Sequence, residues 1–499
     1  MTENPQQPVV ATRSGAVRGT WRDGAAAFLG IPFAEPPVGD LRFAAPVPHR
    51  PWSGVRPADR YGATPQRKPL AEVTLIPEPS IPGDSTLNVN VFTPSPVAAN
   101  GAGLPVLVWI HGGGYVAGSP ASPWYDGAAF NRDGVVTVTV SYRLGFDGFG
   151  WIQDAPRNRG VLDWLLALEW VKYNIAAFGG DPSKVTISGQ SAGGGAVLTL
   201  LGCPRAQPLF NRVISLSGPP TGTTMAAAEA LGRKLAELGG VAPTVAGLSA
   251  LTEAEILALQ GQVSTIGGGD GEADPIAGLA AMLGDGLTLG PVVDGDLIPM
   301  PTTEALAAGI GADKKLILGT TDNEFGMVLA GAGEALSGVP AAGVLGAVGA
   351  EPEVIDAYVA DHPDLGTADL VGQYVTDHMF RAPALNLAEL REGSQAPTWL
   401  YRFAWNSPTM GNACHCLDVP FMFDCLGAEH IAPLAGTDPP QALADEVHGS
   451  AVSFIATGDP GWPAWEDAAR AVRVYGVPTT LVADGYADAR ALLPERAAR

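Results

Sequence analysis

Four short runs rich in strand-forming residues constrain the fold of this 499-residue chain more than any other feature. They are 104–110 (LPVLVWI), 135–142 (VVTVTVSY), 184–188 (KVTIS) and 314–321 (KKLILGTT). The first is a continuous apolar run without polar alternation, which predicts a strand that is buried on both faces. Residues 161–178 carry apolar side chains at helical spacing and are followed by two glycines, a helix stop. This alternation predicts an α/β fold with a large, mostly parallel central sheet and helices on both faces.

Two stretches depart from the strand–helix alternation. We interpret residues 220–290 and 325–395 as helical insertions, because the first contains amphipathic helical segments that need not contact a sheet. We expect both to form a cap over the carboxyl edge of the sheet, where open α/β sheets place their active sites. Residues 1–499 are expected to form one domain, since large α/β enzymes can exceed the usual domain length.

Charge and composition disfavour several classes of function. The chain has 29 basic and 51 acidic residues, a net charge of −22, which argues against nucleic acid and anionic membranes as partners. No apolar run approaches the length of a membrane span, and the first residues lack the features of a secretory signal. Four cysteines make no disulfide framework, and Cys414, Cys416 and Cys425 lack the spacing typical of zinc sites. We therefore expect a cytoplasmic protein without a bound metal.

A single serine between glycines joins one of the predicted strands to a helix. The pattern G-x-S-x-G occurs once, at 189–193, with Ser191 between the run 184–188 and an apolar, helix-like stretch. This context is typical of a nucleophile elbow, in which small neighbours avoid a clash around a strained serine. The helix start behind the serine would direct unpaired amides and partial positive charge at the site. The alternative interpretation is an ordinary turn.

A serine hydroxyl becomes a nucleophile only with a base and a group that orients the base. In folds with this elbow the acid and then the histidine follow the serine along the chain. Five histidines satisfy that order, and their spacing does not choose among them: His362, His378, His415, His430 and His448. The acid candidates are Asp322 and Glu324, just after the run 314–321, and a polar turn is the alternative there.

A glycine run directly after the first strand, HGGG at 111–114, provides a further candidate element. Glycines let backbone N–H groups approach a ligand oxygen closely. Donors directed at a developing oxyanion stabilise it by roughly 3 kcal/mol each. A flexible turn is the alternative, but an oxyanion loop is expected after a strand that precedes the elbow.

These motifs together resemble the type-B carboxylesterase family, the cholinesterase-like branch of the α/β-hydrolase fold, and among its members the bacterial para-nitrobenzyl-esterase-like enzymes. The resemblance extends over almost the whole chain. Eight segments occur in the family's order: 28–43, 84–94, 111–118, 140–149, 158–194, 290–299, 319–324 and 415–423.

The resemblance implies a role for particular residues. Ser191 matches the nucleophile, Glu324 the acid and His415 the general base. The oxyanion-hole donors correspond to Gly113, Gly114 and Ala192, and Ser217 matches a serine often found near the triad. The family's chemistry implies an acyl-enzyme and needs no cofactor or metal. Three positions depart from the family pattern: Thr86 replaces a disulfide cysteine of secreted members, Trp164 replaces a common glutamine, and cysteines flank His415.

We therefore expect a serine carboxylic-ester hydrolase, a monomer, that acts on small soluble esters. An amide or carbamate hydrolase with the same triad is the alternative, and a non-catalytic binding protein is disfavoured because all three triad residues are present. Tyr115, Phe149 and Phe325 are predicted to line the substrate pocket and to favour aromatic esters. Trp124 and Trp151 are further candidates, and core packing is the alternative for each aromatic residue.

Overall fold

The computed structural model describes residues 7–494 except 23, 66, 70–73, 97–102, 221, 264–275, 277–278, 281–282, 285, 327–335, 337 and 468. Its strands are β1 (Val9–Ala11), β2 (Ala16–Arg18), β3 (Thr20–Arg22), β4 (Ala25–Pro32), β5 (Val55–Pro57), β6 (Asn88–Thr93), β7 (Leu104–Ile110), β8 (Val136–Val140), β9 (Gly180–Gln190), β10 (Arg212–Leu216), β11 (Thr223–Thr224), β12 (Val292–Val293), β13 (Lys315–Thr321), β14 (Thr398–Phe403), β15 (Ala471–Tyr475) and β16 (Thr480–Ala483).

The described α-helices are α1 (Ala128–Arg132), α2 (Gly145–Phe149), α3 (Arg159–Asn174), α4 (Ala192–Leu201), α5 (Met225–Leu238), α6 (Val245–Leu248), α7 (Glu253–Val263), α8 (Thr302–Ala307), α9 (Ala341–Ala347), α10 (Pro352–Asp361), α11 (Thr367–Thr376), α12 (Ala382–Leu390), α13 (Val419–Met422), α14 (Ala432–Ala435) and α15 (Gln441–Thr457). A π-helical turn at Asp377–Arg381 joins α11 to α12, and 3₁₀ turns lie at Gly39–Leu41, Pro123–Tyr125, Ile175–Phe178, Pro204–Leu209 and Ala487–Leu492.

One large sheet organises the molecule. Eleven strands pair in the order β16-β15-β14-β13-β10-β9-β7-β8-β6-β4-β3. The seven strands from β15 to β8 run parallel to one another. Antiparallel strands extend both edges, β16 at one and β6, β4 and β3 at the other. This topology confirms the predicted α/β fold with a mostly parallel central sheet.

The apolar runs arise because both faces of the sheet are covered. In β7, Val106, Val108 and Ile110 belong to one hydrophobic core, together with residues of α3, α4 and α12. Leu107 and Trp109 alternate with them and belong to a second core, which includes residues of α13 and α15. Successive side chains of a strand point to opposite faces, so a strand between two helical layers needs apolar residues at every position.

The two segments interpreted as insertions contain helices, although 264–275 and 327–335 lie outside the described residues. Helices α5 to α7 contribute Leu235, Leu248 and Ile256 to a small apolar cluster separate from the two main cores. Helices α9 to α11 form another small cluster. Helix α12 differs, because its apolar residues pack in the first main core against the sheet. Helix α12 therefore packs with the main body, and the extents of the two insertions stay a prediction.

Among the described helices, none is both long and apolar enough to cross a bilayer. All four cysteines are free thiols. Within the same described residues, no group of three or more His, Cys, Asp or Glu side chains is arranged to hold a metal ion.

Candidate active site

Ser191 occupies a strained position between a strand and a helix. Strand β9 ends at Gln190 and helix α4 begins at Ala192. Ser191 has φ 58° and ψ −126°, a conformation that residues with a side chain rarely adopt. Its N–H donates to the carbonyl oxygen of Leu216 at 2.9 Å, and its carbonyl oxygen accepts from Gly195 N–H at 2.8 Å. These backbone bonds hold the serine in its strained conformation at the carboxyl edge of the sheet.

The two glycines of the G-x-S-x-G pattern are required by close packing. A Cβ at Gly189 would lie 2.4 Å from the carbonyl carbon of Gly193. A Cβ at Gly193 would lie 2.1 Å from the carbonyl oxygen of Ile110, the last residue of β7. Glycine at both positions therefore allows α4 to start directly against the neighbouring strand.

The loops after β13 and β14 bring a glutamate and a histidine together. Nδ1 of His415 lies 2.5 Å from Oε2 of Glu324, and the His415 N–H donates to the Glu324 carbonyl oxygen at 3.0 Å. Oε1 of the fully buried Glu324 accepts from the Ser217 hydroxyl at 2.6 Å and from Thr321 N–H at 2.7 Å. The carboxylate is thus fixed on both oxygens, and it fixes the imidazole in turn.

Asp322, the other acid candidate, points elsewhere. Its two carboxylate oxygens accept from Nε and Nη2 of Arg402 at 2.8 and 2.9 Å. The structure therefore brings Glu324, and not Asp322, to a histidine. Of the five histidines left open by chain order, His415 is the one that pairs with this glutamate.

Two neighbours of the histidine were not singled out as site residues by the sequence. Gln190 places Nε2 at 3.0 Å from Nε2 of His415, so the outer ring nitrogen faces the residue before Ser191. The sulfur of Cys416 is the second neighbour. Burial of the ring favours its neutral form, but Cys416 and Glu324 outweigh burial and hold the pKa of His415 well above its ordinary value. The only sequence signal for either residue was its position beside a motif residue.

The HGGG segment lies against the serine. A Cβ at Gly112 would come within 3.1 Å of Cβ of Ser191, so only glycine fits here without displacement. Gly113 has φ 108°, and its carbonyl oxygen accepts from Val116 and Ala117 N–H groups in a tight turn. Burial lowers the pKa of His111, at the start of this segment, to about 4, so its ring is neutral near neutral pH.

These elements meet at one cavity of about 760 Å³. Ser191, His415, Gly113 and Gly114 all contribute to its lining, which is otherwise mostly apolar. Ala192, the third predicted oxyanion donor, is the first residue of α4, directly after Ser191. The cavity thus joins a serine, a histidine oriented by a buried carboxylate, and glycine backbone.

The predicted pocket aromatics divide into two groups. Tyr115 and Phe325 line the cavity, and the Phe325 ring stacks on the His415 ring with centroids 4.8 Å apart. Phe149 does not line it. Its buried ring packs between Tyr115 and Trp164 in the main core, because α2 rests on α3 at this point.

The two tryptophans named as further candidates also lie outside the cavity lining. The buried Trp124 donates its indole N–H to the Glu429 carbonyl oxygen at 2.9 Å. Trp151 is buried in a small cluster with Ala228 and Val292. Core packing, the alternative interpretation, describes both.

A serine elbow at the carboxyl edge of a mostly parallel sheet, with a paired acid and histidine on loops after later strands, defines the α/β-hydrolase class. Residues 6–478 match the family model described as "Carboxylesterase family", so this chain is a member of that family. Its class of activity is carboxylic ester hydrolysis.

Relatives with known names cover nearly the full chain. The para-nitrobenzyl esterase of Bacillus subtilis is 33% identical over 97% of each chain. The phenmedipham hydrolase of Pseudarthrobacter oxydans is 32% identical over 94% of this chain and 95% of its own. The crystal structure of a Geobacillus stearothermophilus carboxylesterase aligns with a TM-score of 0.82 and 31% identity, over 97% of this chain and all of that one.

Proposed function

We propose that this protein hydrolyses small carboxylic esters through Ser191 as nucleophile, His415 as general base and Glu324 as the group that orients the base. One observation carries the proposal. The strained serine and the histidine held by a buried carboxylate line the same cavity of about 760 Å³. A serine, a base and an orienting acid are the parts that activate a hydroxyl.

The proposed reaction proceeds in two halves. Ser191 Oγ attacks the ester carbonyl carbon while its proton passes to Nε2 of His415, and Glu324 stabilises the imidazolium. Backbone N–H groups of Gly113, Gly114 and Ala192 bind the oxyanion. The alcohol leaves with the proton from His415. Water then attacks the acyl-enzyme by the same route, which releases the acid and restores the serine.

The lining of the cavity favours small, apolar substrates. Tyr115, Phe325 and Phe380 contribute aromatic surface next to His415, and aliphatic residues complete most of the lining. An apolar pocket of this size binds ligands by the surface they bury. We propose aryl and short alkyl esters as the substrate class.

We also propose that the protein acts in the reducing environment of the cytoplasm, which its four free thiols support.

Carbamate hydrolysis is the second candidate. The same triad can attack a carbamate carbonyl, and the relative from Pseudarthrobacter oxydans is named phenmedipham hydrolase. The comparison that separates the two is between 4-nitrophenyl butyrate and 4-nitrophenyl N-propylcarbamate, since they share a leaving group. Faster turnover of the carbamate would make carbamate hydrolysis the primary activity.

The catalytic roles are tested by labelling and substitution together. A fluorophosphonate probe is expected to form one adduct on Ser191, located by peptide mass spectrometry. Ser191→Ala is expected to lose the adduct and to lower kcat for 4-nitrophenyl butyrate by roughly 10⁶-fold. Full esterase activity in Ser191→Ala, or an adduct at another residue in wild type, would refute these roles.

A further inference from the structure

A single carboxylate lies in the wall of the cavity. Among the described lining residues, Glu78 is the only acidic one, and no lysine or arginine accompanies it. The side chain is 10% exposed. Because most of the surrounding lining is apolar, the effective dielectric is low and a charged ligand in the cavity would interact strongly with this carboxylate.

Glu78 uses only one of its oxygens within the protein. Oε2 accepts from Gly118 N–H at 3.0 Å and from Nε of Arg67 at 3.3 Å. Oε1 accepts no hydrogen bond from the residues that the structure describes. Each carboxylate oxygen has lone pairs for further donors, so Oε1 can accept from a ligand in the cavity.

Arg67 compensates the negative charge of Glu78 from outside the cavity lining. Its side chain is 3% exposed, and Nη2 donates to the carbonyl oxygens of Glu78 and Pro79 at 2.5 and 3.1 Å. Arg67 is not among the residues that line the cavity. The ion pair is therefore oriented, with its positive member inside the protein and its negative member at the cavity surface.

We propose that Glu78 determines specificity by selecting esters that carry a protonated amine, whose N–H groups donate to Oε1. The proposal rests on the proposed function, because the amine and the reacting ester share one cavity. Glu78 contacts Gly118, which lies in the same segment as Gly113 and Gly114. The amine is thus bound beside the glycine segment, and a charge-assisted hydrogen bond in an apolar cavity strongly favours the charged ligand.

Glu78 also supports the glycine segment, and the test must separate support from selection. Glu78→Gln retains an oxygen that accepts from Gly118 N–H but removes the negative charge. Asp84→Asn is the matched control, because it removes one charge from an exposed residue six positions further along the chain. It corrects for the change in net charge.

The experiment uses two pairs of esters that differ by an amine in place of a methyl group. One pair, 4-nitrophenyl 6-aminohexanoate and 4-nitrophenyl heptanoate, places the amine in the acyl group. The other, 4-aminobutyl benzoate and pentyl benzoate, places it in the alcohol. In wild type, kcat/KM is expected to favour the amine at least about tenfold in one pair. Glu78→Gln is expected to bring that ratio close to one, and Asp84→Asn to leave it unchanged.

Two results would overturn the proposal. The first is an unchanged ratio in Glu78→Gln. The second is a wild-type enzyme that prefers the alkyl ester in both pairs, a result that needs no folded variant. Hydrolysis of the alkyl esters by wild type tests the proposed function separately, so failure of selection and failure of ester hydrolysis are distinguishable.

Discussion

The cavity has two sides that are held by different interactions. We call the proposed catalytic residues Ser191, Glu324 and His415, together with the glycine segment 112–114, the catalytic face. There, the backbone of Ser191 is strained, an added Cβ at Gly112 or Gly113 would lie within 3 Å of neighbouring atoms, and the Glu324 carboxylate is fixed on both oxygens. The remaining lining, which we call the cavity wall, includes Ala227, Leu287, Met379 and Phe380.

The cavity wall is held mainly by apolar contact. Met379 and Phe325 pack against the small cluster of α9 to α11, and Ala227 lies in α5 beside the cluster of Trp151 and Val292. Apolar contacts are non-directional and tolerate substitutions of similar volume. Changes to the catalytic face should therefore lower kcat for every ester, whereas changes to the wall should alter KM and the preference among esters.

Removal of the charge on Glu324 is expected to have the largest effect on this comparison. In Glu324→Gln the imidazole of His415 loses the carboxylate that fixes its tautomer and stabilises its charge, so kcat should fall by about 10⁴-fold for all esters. Asp322→Asn is the matched control, since Asp322 pairs with Arg402 away from the cavity. Steady-state kinetics with 4-nitrophenyl butyrate measures both variants, and a loss of similar size in the control would contradict the assignment of the acid.

A pair of glycine substitutions compares the two sides directly. The Cβ of Gly193→Ala would meet the Ile110 carbonyl oxygen at 2.1 Å, so α4 and Ser191 must shift. A shift of roughly 1 Å at the serine lowers kcat by about 100-fold. Gly222→Ala, in the lining of the cavity, meets nothing within 4 Å and should change kcat less than about threefold. Equal losses in the two variants would show that the wall is as constrained as the catalytic face.

The sequence predicted the strands and the turn that position Ser191 for a physical reason. Strand β7 coincides with the predicted run 104–110, and β13 covers 315–321 of the run 314–321, because burial on both faces leaves an unmistakable apolar pattern. The elbow is likewise local, since two glycines around Ser191 mark the close approach to β7.

Local sequence patterns could not predict features that depend on contacts between residues far apart in the chain. Glu324 and His415 meet because the loops after β13 and β14 are adjacent in the sheet, so spacing left five histidines open and only the family resemblance chose one. Phe149 illustrates the same limit, since an aromatic residue near a motif does not reveal which way its ring points. Strand β16 is only four residues long, and all four are exposed at the sheet edge, so burial imposes no long apolar run there.

A smaller effect is expected in the pH dependence of the catalytic face. His415 must be neutral to accept a proton, so a raised pKa moves the rise of kcat/KM to higher pH. Cys416→Ala removes one of the two groups that raise this pKa. The acid limb of the profile should then move to lower pH, so kcat/KM on that limb should increase.

Cys414→Ala is the control for this profile. Burial raises the pKa of the Cys414 thiol to about 12, so the thiol remains neutral throughout the working range. Its removal should leave the acid limb in place. A limb that stays fixed in Cys416→Ala, or moves equally in both variants, would contradict the role of Cys416 in setting the charge of His415.

The smallest effect is expected in the wall. Met379 is half-buried in the π-helical turn at the cavity surface, and Met379→Ala removes apolar surface that a long acyl or aryl group would contact. KM for 4-nitrophenyl octanoate should rise about fivefold, because burial of one methylene group contributes roughly 0.8 kcal/mol to binding. The value of kcat should change little. The acyl group of 4-nitrophenyl acetate is too short to reach the cavity wall, so KM for this ester should not change. Met410→Ala, a partly buried methionine outside the cavity lining, controls for lost packing. A fall in kcat for both esters would mean that the wall supports the catalytic face, and the division between the two sides would not hold.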